Sequence, residues 1–236
     1  MESPALDAPG GLAMRRVATP EDWAEVRGLR YRALAARDDI EPRNDPGHGD
    51  EFDVAFNTET FVLSHEGRAI ASTRTSAAST HRRWPLPASE AYRAAIAALG
   101  ADATLVEASL TVVDPLAGLD WKAVLFHLFK AHMLECSLQR ADWLLVAVRE
   151  SQIGFYRRMF NMEILSGTEK YPGLASPRVL MGLDYAAQAA LLSKRIPMLA
   201  VSGEDERDFA QTGCILFGKR RGSNGGGEGQ RAGFGR

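Results

Sequence analysis

The sequence predicts an α/β (α+β) layer architecture, and three observations predict it. Stretches with the two-residue alternation of strands take turns with stretches of helical composition along residues 12–194, without an internal repeat. The run Trp143-Leu-Leu-Val-Ala-Val148 is apolar without interruption, as a central strand covered on both faces must be. Residues 121–139 are apolar nearly all round, which suits a helix packed deep against a sheet. At roughly 100 to 200 residues per domain, a chain of 236 residues holds one large domain. We assign residues 1–11 to a flexible leader, 12–200 to the folded domain and 201–236 to a C-terminal extension. From about residue 218 that extension has eight glycines in nineteen positions and is expected to be disordered.

Each element has a local reason. Residues 12–17 read as a first strand. Thr19-Pro20-Glu21-Asp22 supplies an N-cap, a proline at the first helical position and two early acids, so a helix runs from there to about Arg37. Segment 38–57, rich in Asp, Pro, Gly and Asn, is long enough for a connection to suggest function. Strands at 60–64 and 68–77 flank the hairpin turn Glu66-Gly67. Residues 88–99 have helical composition. The strongest strand, 104–113, ends at Asp114-Pro115, because proline cannot donate to a ladder. After the buried helix and central strand come a short helix from Ser151 through Phe160, strands at 162–165 and 179–183, and a helix at 186–194.

Lysine and arginine number 28 and aspartate and glutamate 30, a formal charge of −2. Residues 218–236 hold five basic residues and one acid, so the first 217 carry −6. An acidic body argues against general nucleic-acid binding. No apolar run approaches the roughly 18 residues of a membrane span, and the N-terminus lacks a basic-then-apolar signal pattern. A cytoplasmic protein is expected. Cys136 and Cys214 are too few for a disulfide framework or a cysteine metal site. His127 and His132 do not share a helix face well and have no acid motif beside them, so they read as structural rather than as zinc ligands. No P-loop, dinucleotide glycine pattern or nucleophile elbow occurs.

A polar side chain on an apolar face costs free energy unless it is paired, so such positions mark function. Arg30 falls with Trp23, Val26, Ala33 and Arg37 on the helical stripe that should face the core. A guanidinium there needs a carboxylate or a charged ligand, unless it snorkels at the helix edge. Arg74 shares a strand face with Ile70 and Ser72 and should point into a cleft or an internal ion pair. Glu107 sits in mid-strand, with Leu105, Ser109 and Thr111 expected on its face. Desolvation there would raise its pKa toward the range of a general base; neutralisation by a core arginine such as Arg74 is the plainer alternative. Asp50-Glu51-Phe52-Asp53 ends the long loop, and either aspartate could pair with Arg30 or Arg74 and fold that loop over the sheet.

The order of elements resembles that of the GNAT acyltransferases, and residues 151–167, with Phe155-Tyr156 on a short helix, resemble that family's late motif. The resemblance implies a three-layer fold with a mixed central sheet of six to seven strands and helices on both faces. One turn departs from the pattern. Val113-Asp-Pro-Leu-Ala-Gly-Leu-Asp-Trp121 has one glycine and two acids where such enzymes hold the coenzyme A pyrophosphate on glycine-rich backbone. Leu29-Arg30-Tyr31-Arg32 with Asp50-Glu51-Phe52-Asp53, Ser72-Thr73-Arg74, and Glu107-Ala108-Ser109 are similar instead to motifs of a particular branch. It contains the acyl-homoserine lactone (autoinducer) synthases and the FeeM-like N-acyl amino acid synthases, and the similarity spans roughly residues 14–185. Leu110 stands where the Glu-x-Ser motif is normally followed by arginine. The aromatic landmarks of the lactone makers are absent, so the acceptor implied is an amino acid or another simple amine rather than S-adenosylmethionine.

This resemblance implies an N-acyltransferase that moves a long acyl chain from acyl carrier protein to that amine. No cofactor stays bound; the carrier-protein thioester, or acyl-CoA, is a co-substrate. Glu107 would be the base, Tyr156 the acid for the leaving thiolate, and Ser109 part of the catalytic motif. Arg30 or Arg74, held by Asp50 and Asp53, would bind an acceptor carboxylate. Backbone N–H groups at a strand bulge around residues 109–111 would meet the oxyanion. The acyl chain would run between the diverging fourth and fifth strands over Leu145 and Phe126, and Lys122, Arg149, Arg157 and Arg158 would meet the acidic carrier. The rivals are an ordinary acetyl-CoA-dependent N-acetyltransferase and a non-catalytic module that binds acyl carrier protein. The degenerate turn speaks against the first, and Glu107 with Tyr156 against the second.

Overall fold

Thr19 starts the first helix as its sequence requires. Its hydroxyl accepts from the Asp22 N–H at 3.2 Å, the Asp22 carboxylate accepts from the Thr19 N–H at 3.1 Å, and Pro20 fills the first turn. That helix, α1 (Pro20–Ala35), follows strand β1 (Leu12–Arg16). The computed structural model describes residues 11–41, 44, 47–79 and 84–217. It continues with β2 (Thr58–His65), β3 (Arg68–Ala78), α2 (Arg93–Ala98), β4 (Leu105–Val113), α3 (Trp121–Gln139) and β5 (Trp143–Val148). Then come α4 (Glu150–Phe160), β6 (Glu163–Glu169), β7 (Arg178–Asp184), α5 (Tyr185–Arg195), α6 (Gly203–Thr212) and β8 (Cys214–Leu216).

The strands form one mixed sheet of eight in the order β6-β7-β5-β4-β3-β2-β1-β8. Among the described residues only β4 and β5 pair in parallel. Alternation puts Phe61 and Leu63 of β2 in a cluster with Val124 and Leu128 of α3, while Val62 packs with Val26 and Leu29 of α1. The sheet is therefore covered on both faces. The strand count exceeds the six to seven expected, because residues beyond 200 add α6 and the edge strand β8 beside β1. Three residues are too few to show a strand period. The Ser137 hydroxyl donates to Glu206 at 2.6 Å, and Phe209 and Ile215 join Met14 and Phe61 in the core. The leader through residue 10 and the tail from 218 lie outside the described residues. No helix among the described residues is long and apolar enough to cross a membrane.

Two irregularities of β4 shape the site. It pairs with β5 only from Leu105 opposite Trp143 to Ala108 opposite Val146, after which the strands part. Against β3, Ser109 pairs with Arg74 but Val112 pairs with Ser72, so Leu110 and Thr111 together oppose Thr73. This is a bulge, and it holds Leu110 at φ 45°. An extra residue reverses the faces beyond it. Thr111 therefore does not share the face of Glu107 and Ser109 as expected; its hydroxyl meets Thr73, which bonds His132 of α3, both at 2.7 Å.

Candidate active site

The long loop is pinned by charge. Asp53 lies in the short 3-10 turn Glu51–Val54, and its carboxylate accepts Arg30 Nη1 at 2.8 and 2.9 Å and Arg74 Nη1 at 3.0 Å. Asp50 accepts both Arg74 terminal nitrogens. Arg74 Nε donates to Ser109 Oγ at 3.0 Å, and Arg30 Nη2 to Thr60 at 3.4 Å. Burial pushes the Asp53 carboxyl up, but the two guanidinium groups beside it prevail and hold it below the usual carboxylate range. Both arginines have no exposed surface. Asp50 and Asp53 thus hold Arg30 and Arg74, as expected, and the terminal nitrogens of both arginines are engaged by these aspartates or by Thr60, an arrangement that orients the loop. Ser109 gains from this, since accepting from Arg74 leaves its own proton to donate.

Glu107 is fully buried on the same face. Tyr171 donates to its Oε1 at 2.5 Å and the Ala88 N–H to its Oε2 at 2.8 Å. Burial raises its pKa to about 7, against the lowering effect of the Tyr171 hydrogen bond. Tyr171 itself, buried and facing that carboxylate, is pushed far above the usual phenol range and stays protonated. A carboxylate near 7 is divided between base and acid at neutral pH, which suits proton removal from an amine. Tyr171→Phe removes the bond that lowers the Glu107 pKa. The acid limb of a pH profile of kcat/KM is therefore expected to move to higher pH, and an unmoved limb would detach Tyr171 from the chemistry.

Where β4 and β5 part lies a cavity of about 540 Å³. Residues 109–113 line one wall and 146–149 another, with Leu125, Phe155 and Tyr156 from α3 and α4. Leu145 and Phe126, expected along the acyl path, do not line it. Leu145 packs with Tyr171 and Leu180 on the face of Glu107, deeper than the cavity wall, and Phe126 packs in the core with Phe160. Glu107 lies two residues before Ser109 and does not line the cavity either. Burial raises the Tyr156 pKa to about 12, partly offset by the charge of Arg37. Its hydroxyl is protonated at neutral pH, and the residue lines the cavity. Lys122, Arg149 and Arg158 line the cavity, whereas Arg157 is exposed elsewhere on α4.

The turn between β4 and α3 carries acids that use its amide donors. Asp120 caps α3 by accepting from the Lys122 N–H at 3.0 Å, and Asp114 accepts from the Leu116 N–H at 2.9 Å and from Arg32 at 2.8 Å. Among the described residues, no group of three or more His, Cys, Asp or Glu could hold a metal ion. Burial lowers the His132 pKa to about 3, so this imidazole is neutral beside Thr73.

Sequence reasoning missed Tyr171 and the pair Asp39–Arg178, which is buried and joined at 2.6 Å. Tyr171-Pro172-Gly173 reads as a turn, and no local pattern links it to a carboxylate 64 positions away. Arg37 was placed on the core stripe, but α1 stops at Ala35 and Arg37 is exposed at the cavity.

A sheet whose single parallel pair parts over a cavity beside a bulged strand defines a GNAT-like acyltransferase fold, and solved structures share it. The N-acyl amino acid synthase FeeM from uncultured soil microbes superposes with a TM-score of 0.64 at 15% identity, covering 78% of this chain and 98% of that one. The CoA-dependent acyl-homoserine lactone synthase BjaI, solved with SAM and isopentyl-CoA, gives 0.57 at 18% identity, covering 81% and 92%. The AHL synthase LasI gives 0.55 at 14% identity, covering 76% and 93%. The family model of the N-acyl amino acid synthase FeeM matches residues 25–184, and the chain belongs to that family. No curated protein sequence matches.

Proposed function

We propose that the protein is an N-acyltransferase that moves a long acyl chain from acyl carrier protein to the amine of an amino acid. The observation that carries this reading is Glu107, held at a pKa of about 7 on a strand whose next outward residue, Ser109, opens onto the β4–β5 cavity. Membership of the family supports acyl transfer to an amine. Glu107, directly or through water, takes a proton from the acceptor. The freed amine attacks the thioester carbonyl, a C–N bond forms and the C–S bond breaks. Ser109 and the N–H groups of the bulge stabilise the oxyanion, Tyr156 gives its proton to the departing thiolate, and the proton that the new amide nitrogen sheds returns to Tyr156 through water. Leu125, Val146, Val148 and Phe155 supply apolar wall for the acyl chain. The primary test is mass spectrometry of lipid extracts from cells making the protein. New long-chain N-acyl amino acids are expected; their absence with active acyl carrier protein present would sink the reading.

The choice of carrier protein as donor rests on Asp114 and Asp120, whose carboxylates occupy backbone donors of the turn where a diphosphate would bind, Asp114 being paired with Arg32 as well. Affinity must then come from the acyl groove and from exposed cations, and such contacts weaken as salt rises. Reversing Arg157 and Arg158 to glutamate is expected to raise KM for acyl carrier protein, most at low ionic strength, and to spare a short acyl-thioester mimic. Preference of the native protein for acyl-CoA, or equal slowing with both donors, would overturn this choice.

A further inference from the structure

With Arg30 and Arg74 spent on aspartates, the cavity still holds cations in excess. Asp39, 3% exposed, receives Arg149 on Oδ2 and Arg178 on Oδ1, each at 2.6 Å. Arg149 also donates to the Arg37 carbonyl at 2.6 Å, so Arg37 stands directly against this bridge. All four residues line the cavity. Three guanidinium groups thus gather around one carboxylate, which two of them bond. Among the described residues no carboxylate pairs with Arg37. The side chain reaches solvent at one end and stands at the cavity wall at the other, where partial desolvation and the charge of Arg149 push its pKa down.

We propose that Arg37, backed by the Arg149–Asp39–Arg178 bridge, is an oxyanion subsite that holds the carboxylate of the acceptor amino acid. The proposal rests on the acyltransferase reading above for the fate of the amine. A phosphate on the donor's pantetheine arm has the same chemistry, but the surroundings favour the acceptor. Arg37 and Asp39 belong to the connection after α1, and the Ala175 N–H donates to the Asp39 carbonyl at 2.7 Å. The loop that makes this contact, residues 170–177 between β6 and β7, also carries Tyr171, which bonds Glu107. One loop therefore joins the free cation to the base. An α-amino acid has a single carbon between its carboxylate and its amine, so with the carboxylate on Arg37 the amine stays inside the cavity that Arg37 and Ser109 both line, from which Glu107 would take its proton through water. The start of α3, with Trp121 and Lys122, forms a different part of the cavity wall and is where the donor's arm would enter.

The test uses the full chain and Arg37→Gln, with Arg37→Lys beside it. Because Arg37 is exposed, neither change should alter the melting temperature. Calorimetry first identifies which of the twenty amino acids binds the native protein, and that amino acid is then compared with its primary amide. The expected result is a rise of about tenfold or more in Kd and KM for the amino acid in Arg37→Gln, with partial recovery in Arg37→Lys. The amide should bind the native protein weakly and be indifferent to the change, and KM for the acyl donor should not move. Failure of every amino acid to bind, equal affinity of acid and amide for the native protein, or an unchanged Kd in the variant would overturn the subsite. A selective rise in donor KM would reassign the anion to the phosphate and overturn it too. If the native protein binds an amino acid through Arg37 yet transfers no acyl group to it, the subsite stands and the acyltransferase reading falls.

Discussion

Replacing Glu107 by glutamine is expected to lower kcat/KM for amide formation by about 10² to 10⁴ while the fold survives. The amide is nearly isosteric, and its carbonyl can still accept from Tyr171 or Ala88, so the hydrogen bonds at this buried position are largely kept. What is lost is the capacity to take a proton. Native activity should rise with pH as a group near 7 ionises, and that limb should vanish in the variant. Stability provides an independent check. The folded pKa of Glu107 lies above its unfolded value of 4.5, so the folded state holds the proton more tightly. The stability linked to that proton is fully present below pH 4.5 and is lost as pH rises through about 7. Across this window the native protein should lose about 3 kcal/mol that Glu107→Gln does not. Urea denaturation at pH 4.5 and pH 8 reads the difference; near-native turnover, or a stability gap that does not change with pH, would remove Glu107 from its role.

The second large effect falls on folding. Asp53→Asn leaves two fully buried guanidinium groups with only Asp50, which is partly exposed, as counter-charge. Breaking a buried ion pair from one side typically costs about 3–5 kcal/mol, because a charge remains without compensation. A loss of that size is expected in denaturant unfolding at pH 7, with a smaller loss for Asp50→Asn. The sign with pH follows from the lowered carboxyl pKa of Asp53. Its contribution is present above the unfolded value of 3.8 and disappears as pH falls through the lower folded value, so native and variant stabilities should converge only in strong acid. A variant as stable as the native chain at pH 7 would show that the network orders the loop without supporting the fold.

What was legible in the sequence is what violates a local pattern. Arg30 interrupts an apolar helix stripe, and Arg74 and Glu107 interrupt strands, so each announced itself before any partner was known, and the acidic loop supplied partners by charge alone. The central strand and the buried helix were legible for the converse reason, since unbroken apolar composition has few other uses. The rest lies in relations between distant residues. Tyr171 donates to a carboxylate from a loop that reads as an ordinary turn, and Asp39 meets an arginine 139 positions away. The bulge was implied by resemblance alone, because Leu110 has nothing in its side chain to signal a positive φ. Which arginines were free could not be read either: that depended on where both aspartates landed.

The bulge in β4 also separates two demands that a regular strand would set against each other. Up to Ser109 the strand offers its polar side chains to Arg74 and the cavity; beyond Leu110 it turns Val112 toward α1 and the hydroxyl of Thr111 toward α3. One supernumerary residue thus lets a single strand carry two phases of the same alternation, one serving the chemistry and one serving the packing. Straightening the strand with every residue kept would merge the phases, placing Val112 beneath His132 and Thr111 among Val26 and Leu29, whereas removing Leu110 would close the bulge and leave both residues on their present faces. The bulge at Leu110 is therefore what lets Ser109 and Val112, an odd number of positions apart, stand on one face of the sheet.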